Sequence, residues 1–109
     1  MIAVIFEVWP KAARRQDYFE LAAGLRSELE RIDGFISVER FVSIADENKI
    51  LSLSFWRDEE AVKRWRTHAD HRAAQRAGRT EVFRDYRLRV ASVLRDYGMF
   101  ERDEAPERG

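Results

Sequence analysis

Two imidazoles, an indole and an amide follow one another at helical spacing between Trp65 and Gln75. If that stretch is one helix, Trp65, His68, His71 or Arg72, and Gln75 form a row along one side of it. Such a row suits proton transfer beside an aromatic wall. Histidine titrates near neutral pH and can act as a general base, and an indole gives an apolar substrate a flat surface. His68, one turn beyond Trp65, is the first candidate base, and His71, flanked by Asp70 and Arg72, is the second. Each has a bland alternative: Trp65 as core packing, the histidines as surface or subunit-contact residues. Two histidines at i and i+3 can share a metal ion, but a catalytic zinc site usually wants a third protein ligand and the sequence offers no obvious one, Asp70 lying elsewhere around the helix, so no metal site is assigned.

Other residues extend the candidate pocket. Trp9, Phe55 and Phe83 offer aromatic planes, with simple core packing as the alternative. Arg79 and Tyr86 offer contacts for an anion or a hydroxyl, with packing at a dimer seam as the alternative for Tyr86. Glu7 interrupts an apolar run on the side shared by Ala3, Ile5 and Trp9. It is therefore either an edge residue near solvent or a partly buried carboxylate with a raised pKa.

The chain around them has 109 residues, enough for one domain with a single core. Twenty basic and twenty acidic residues balance, so no bulk field recruits nucleic acid or an anionic membrane. There is no cysteine, which excludes disulfides, thiolate metal sites and a thiol nucleophile. The apolar start, Met1 to Trp9, lacks the flanks of a signal peptide, and no apolar run approaches the roughly 20 residues of a membrane span. A cytoplasmic location is expected.

Ile2 to Trp9 reads as a strand stopped by Pro10. From Arg15 to Ile32, apolar residues recur at three and four, and Asp33-Gly34 suits a left-handed helix end. Phe35 to Ala45 alternates, with Ile36, Val38, Val42 and Ile44 opposite Phe35, Ser37, Glu39, Phe41 and Ser43. Asp46-Glu47-Asn48 turns the chain into a hairpin partner, Lys49 to Trp56. Asp58 caps a second helix that reaches about Gly78, with Glu59 and Glu60 at its positive end. Thr80 to Asp85 is ambiguous, and Arg87 to Tyr97 reads as strand four. Arg84, Arg87, Arg89 and Arg95 form an ion-pairing face. Residues 1–100 make the domain, and 101–109 read as a frayed tail.

The order β-α-β-β-α-β predicts an α+β, ferredoxin-like fold, an antiparallel four-stranded sheet with both helices on one face. The other face is also substantially apolar, and a second copy of the sheet is the economical lid; a homodimer is expected.

With this element order, the Phe55-Trp56 strand end, Trp65 and the string His68-x-x-His71-Arg72-Ala73-Ala74-Gln75-x-x-Gly78-Arg79, the chain resembles the antibiotic biosynthesis monooxygenase family of dimeric α+β barrels. The resemblance implies a pocket between sheet and helices. It also implies oxidation of an aromatic or polyketide-like small molecule by dioxygen with no flavin, haem or metal, the protein binding and deprotonating the substrate and stabilising its anion. Haem-degrading relatives instead use a strand-one Asn and a helix-two haem ligand. The only asparagine here is Asn48 in the hairpin turn, and Gln75 stands where the ligand would be. A non-catalytic ligand-binding or stress-responsive dimer is the other alternative, because fold does not fix function.

Overall fold

A computed structural model describes residues 1–68 and 81–106 of the chain. β1 (Ile2–Pro10) leads through a short 3-10 turn to α1 (Arg15–Glu30), followed by β2 (Phe35–Val42), β3 (Ile50–Trp56), α2 (Glu59–Arg66) and β4 (Phe83–Ser92). The four strands form one sheet in the order β2-β3-β1-β4, with antiparallel neighbours throughout. This is the ferredoxin-like α+β arrangement. No helix among the described residues is long and apolar enough to cross a membrane.

Strand alternation sorts the side chains. Val8 packs with Tyr18 of α1, Ile50 and Val82, and Phe6 and Phe83 lie against that cluster. Ile2 and Val4 join a second cluster around Leu29, Trp56 and Ala61. The even residues of β1 therefore face the helices. Ala3, Ile5, Glu7 and Trp9 face the other way, beside Phe55, Leu53 and Leu51 of β3.

Both β-helix junctions are built from local polar contacts. Asp58 is extended and its Oδ1 accepts the Ala61 N–H at 2.9 Å, the N-cap that the sequence predicts. Gly34 ends the α1 turn at φ +94°, and the Arg57 N–H donates to its carbonyl at 2.7 Å. Arg57 in turn donates from Nη1 and Nη2 to the two Asp33 carboxylate oxygens, at 3.1 and 3.3 Å. In the hairpin turn, the Asp46 side chain accepts from the Asn48 N–H at 3.0 Å, and Asp46 also accepts from the Trp9 indole at 3.2 Å.

Four expectations need correction. A register shift between Phe35 and Ser37 puts Phe35 on the helix-facing side, where its ring meets Trp56 edge-on at 5.2 Å; strict alternation had set it opposite Val38. Helix α2 ends at Arg66, with Thr67 as its C-cap, and does not continue through His68. The Thr67 hydroxyl donates to the Lys63 and Arg64 carbonyls at 3.0 and 3.2 Å, tying off the last turn. The rest of the expected helix, residues 69–78, lies outside the described residues. β4 runs from Phe83 to Ser92 and not from Arg87 to Tyr97, because it follows β1 rung by rung and β1 ends at Ile2, opposite Ser92. Glu7 is on a central strand and is neither at an edge nor raised in pKa. Lys49 Nζ and Arg89 Nη1 each lie 2.8 Å from its carboxylate. The hydrogen bond from Lys49, reinforced by Arg89, holds its pKa below the usual carboxylate value.

A Cβ at Gly34 would come within 2.6 Å of the Ala61 Cβ, in a backbone region that L-residues avoid. Gly34→Ala should therefore destabilise the fold by about 2 kcal/mol or more, summing the backbone cost and the overpacking. Chemical denaturation checks this, and Gly24→Ala, where a Cβ meets nothing within 4 Å, is the control.

Candidate functional site

The two clusters do not meet. Between them, the positions under α1 are Ser52 and Ser54 on β3 and Ala22 on the helix, too small to fill the space between sheet and helix. A cavity of about 200 Å3 remains. α1 contributes Tyr18, Leu21, Ala22, Leu25 and Leu29 to its lining, and α2 contributes Val62, Trp65 and Arg66. The sheet contributes Val4 and Phe6 of β1, Val38 and Arg40 of β2, Ser52, Ser54 and Trp56 of β3, and Phe83, Leu88 and Val90 of β4. The wall is mostly hydrocarbon and aromatic ring, with a few polar groups, the usual composition of a small-molecule site.

Those polar groups have distinct states. Ser54 is buried, and its Oγ accepts the Trp56 indole N–H at 2.9 Å, so it is committed to the structure. Arg40 enters from β2 directly opposite Ser52. Its Nε is buried and has no hydrogen-bond partner among the described residues. Tyr18 is 4% exposed. Burial raises the pKa of its phenol, and the neighbouring Arg40 guanidinium offsets part of that rise. At neutral pH Tyr18 is thus a neutral hydroxyl able to donate. The described lining contains two arginines, Arg40 and Arg66, and no carboxylate.

Of the residues singled out from the sequence, Trp65 and Phe83 line the cavity. His68 stands behind Trp65: the rings stack with centroids 5.8 Å apart, and His68 Nε2 lies 3.7 Å from the Glu28 carboxylate of α1. Tyr86 packs at the end of the cavity against Phe6 and Phe83, at 5.7 and 6.1 Å between centroids, and is 41% exposed. Trp9 and Phe55 are not brought to this cavity. They project from the opposite face of the sheet, where Trp9 carries the Lys49 ammonium over its ring at 5.2 Å. His71 and Arg79 lie outside the described residues. Sequence reasoning missed Arg40, Tyr18 and Ser52 as site residues. A cation and two hydroxyls at strand and helix positions otherwise given to apolar side chains were the available signal.

The family model for antibiotic biosynthesis monooxygenases matches residues 1–77. The chain belongs to that family. A jasmonate monooxygenase of Pyricularia oryzae is 50% identical over 93 residues, covering 85% of this chain and 43% of that protein. The chain thus spans less than half the length of this relative. The uncharacterized Bacillus subtilis protein YqjZ is 37% identical over 93 residues, covering 85% of this chain and 79% of that one. Among solved structures, Rv0793 from Mycobacterium tuberculosis superposes with a TM-score of 0.78 at 19% identity, over 89% of this chain and 98% of that one. That likeness carries the fold alone.

The burial of Tyr18 has a measurable consequence. Its native pKa lies above the ordinary value of 10.0, so the stability linked to its proton is intact below that value and is lost as the pH rises through the native one. Tyrosinate absorbance should show a component that appears above pH 10 together with unfolding and is missing in Tyr18→Phe.

Proposed function

We propose that the chain is a homodimeric monooxygenase that oxidises a small apolar molecule bearing an acidic C–H, using the substrate's own electrons and no tightly bound cofactor. The carrying observation is the cavity itself, an apolar chamber with Trp65 in its wall and the Arg40–Tyr18 pair at one polar point. Family membership supports the reaction class. Aromatic and polyketide-like compounds fit such a wall. So does the substrate in the name of the Pyricularia oryzae relative, jasmonate, a small cyclic ketone with a carboxylate. About 200 Å3 falls short of the 300–1,000 Å3 of drug-sized sites, which favours compact substrates.

The chemistry balances without a further reductant. Removal of a proton from a methylene beside a carbonyl or aromatic system leaves a carbanion, which reduces dioxygen and forms a C–O bond as a peroxide. Loss of water from the peroxide leaves a new carbonyl, so that one CH2 and one O2 become one C=O and one H2O. The protein's tasks are to take the first proton and to stabilise the anion. His68 is the proton acceptor in this reading, acting through a bridging water at the edge of Trp65, with Glu28 stabilising the imidazolium. A haem-degrading reading fits less well, because Asn48 sits in the β2–β3 turn and not in the cavity wall.

The sheet's other face supports the dimer reading. Ile5, Leu53, Phe55 and Phe41 lie there around Glu7, whose charge is already met by Lys49 and Arg89, while the described helices pack on the opposite side. A second sheet covers this surface most simply. Leu94, Met99 and Phe100 beyond β4 are 81%, 78% and 91% exposed in the single chain and add further apolar surface for a partner.

Oxygen uptake with jasmonate and with an anthrone tests the activity. His68→Ala should lower turnover by roughly 100-fold with substrate binding unchanged, and Glu28→Gln by a smaller factor. Loss on His71→Ala with none on His68→Ala would overturn the assignment of the base. Light scattering at micromolar concentration should give twice the 12.9 kDa chain mass. Leu53→Arg should reduce it to one chain, and a wild-type monomer would refute the dimer.

A further inference from the structure

We infer that Arg40 is the specificity residue of the cavity and that the ligand it selects is the carboxylate of a small apolar acid. The inference rests on reading this cavity as the substrate site and adds which functional group is held there, and where. A guanidinium is charged at every accessible pH, and removing it from water is costly unless its N–H groups are met. Arg40 projects from β2 onto the helix-facing side of the sheet, and its Nε is buried with no hydrogen-bond partner among the described residues. No described carboxylate pairs with it, although Lys49, Arg57 and Arg89 on neighbouring elements all have acidic partners within about 3 Å. The Tyr18 phenol accepts from this guanidinium, but a hydroxyl leaves its charge uncompensated, and an anion in the cavity that Arg40 lines supplies the missing countercharge.

The surroundings favour a carboxylate over other acceptors. A planar guanidinium presents paired N–H groups that match the two oxygens of a carboxylate. Ser52, the cross-strand neighbour of Arg40, and the neutral Tyr18 phenol supply hydroxyl donors at the same end of the cavity. Arg66 adds a second positive charge to the lining, and the described lining has no acidic group to repel an anion. Beyond this point the wall is hydrocarbon: Val4, Leu25, Val38 and Leu88 surround the space an alkyl or cyclic body would fill. The ligand class is therefore an acid with one charged end and a compact apolar body, its carboxylate at Arg40 and its reactive carbon toward Trp65.

The test is binding of octanoate and of its methyl ester, followed by tryptophan fluorescence and calorimetry, which need no turnover. The acid should bind at least tenfold more tightly than the ester. Arg40→Met, which keeps an unbranched apolar stem and removes the charge, should bring the acid down to the affinity of the ester and leave the ester unchanged. Arg40→Lys should keep part of the preference. Retained ester binding shows that each variant still forms the cavity. Equal affinity for acid and ester in the wild type, or a preference that survives Arg40→Met, would overturn the inference while leaving the cavity as a binding site. Binding of neither probe would overturn both.

Discussion

The register of β1 between β3 and β4 is the constraint on which everything else in this molecule depends. With Phe6 opposite Ser52 on one side and Leu88 on the other, Val4, Phe6 and Val8 meet the helices, and Ile5, Glu7 and Trp9 turn away. A slip of one residue would exchange the two sets, burying Glu7 under α1 and placing Phe6 on the outer face. Glu7 also helps to fix the register. Its carboxylate receives Lys49 from the start of β3 and Arg89 from β4, so one side chain ties its own strand to both neighbours. A carboxylate in the middle of an apolar strand is expensive until it is paired, and in this alignment both partners reach it.

That alignment also creates the cavity. The even side of β3 reads Ile50, Ser52, Ser54, Trp56, large at both ends and small in the middle. Ile50 anchors one cluster with Tyr18 and Val8, and Trp56 anchors the other with Leu29 and Ala61. Helix α1 is held off the sheet by both, and the serines between cannot fill the gap. An interior packed for stability alone would carry branched aliphatic residues at these two positions. Ser54 is spent on the Trp56 indole, which locks one wall, while Ser52 remains beside Arg40. The core thus trades some packing for a chamber with one rigid and one polar side, the kind of local conflict with folding rules that marks a site.

Much of this was legible in the sequence because it depends on local signals. Element order, the Asp58 cap and the Asp33-Gly34 turn follow from residue types at fixed spacing, and the structure has them where the spacing places them. What was not legible depends on partners distant in sequence. The register shift after Phe35 is imposed by pairing with Trp56, and the end of β4 is imposed by the end of β1. Attention to the histidines put the candidate base on the second helix and left β2 without a site residue. The histidines are conspicuous by type, whereas Arg40 is conspicuous only by its position. A cation between Val38 and Val42, at the parity of an apolar face, becomes informative once that face is known to lie over a gap.

The two ends of the site also differ in how they are supported. Arg40 stands on a strand within a four-stranded sheet, so its position is set by main-chain rungs to Ser52. His68 follows the last turn of a helix of eight residues, held by its own N–H to the Trp65 carbonyl at 3.0 Å and by stacking on the Trp65 ring. An anion anchor benefits from rigidity, because a guanidinium displaced by about an ångström loses its paired geometry. A proton acceptor reached through water tolerates more movement and must exchange its proton with solvent on every turnover. At 30% exposure, the His68 side chain reaches solvent from behind Trp65. In the proposed function the sheet therefore provides recognition, and the end of the helix provides access for protons. On the proposed roles, the residue that selects the ligand and the residue that receives its proton sit on different elements because one needs rigidity and the other exchange with solvent.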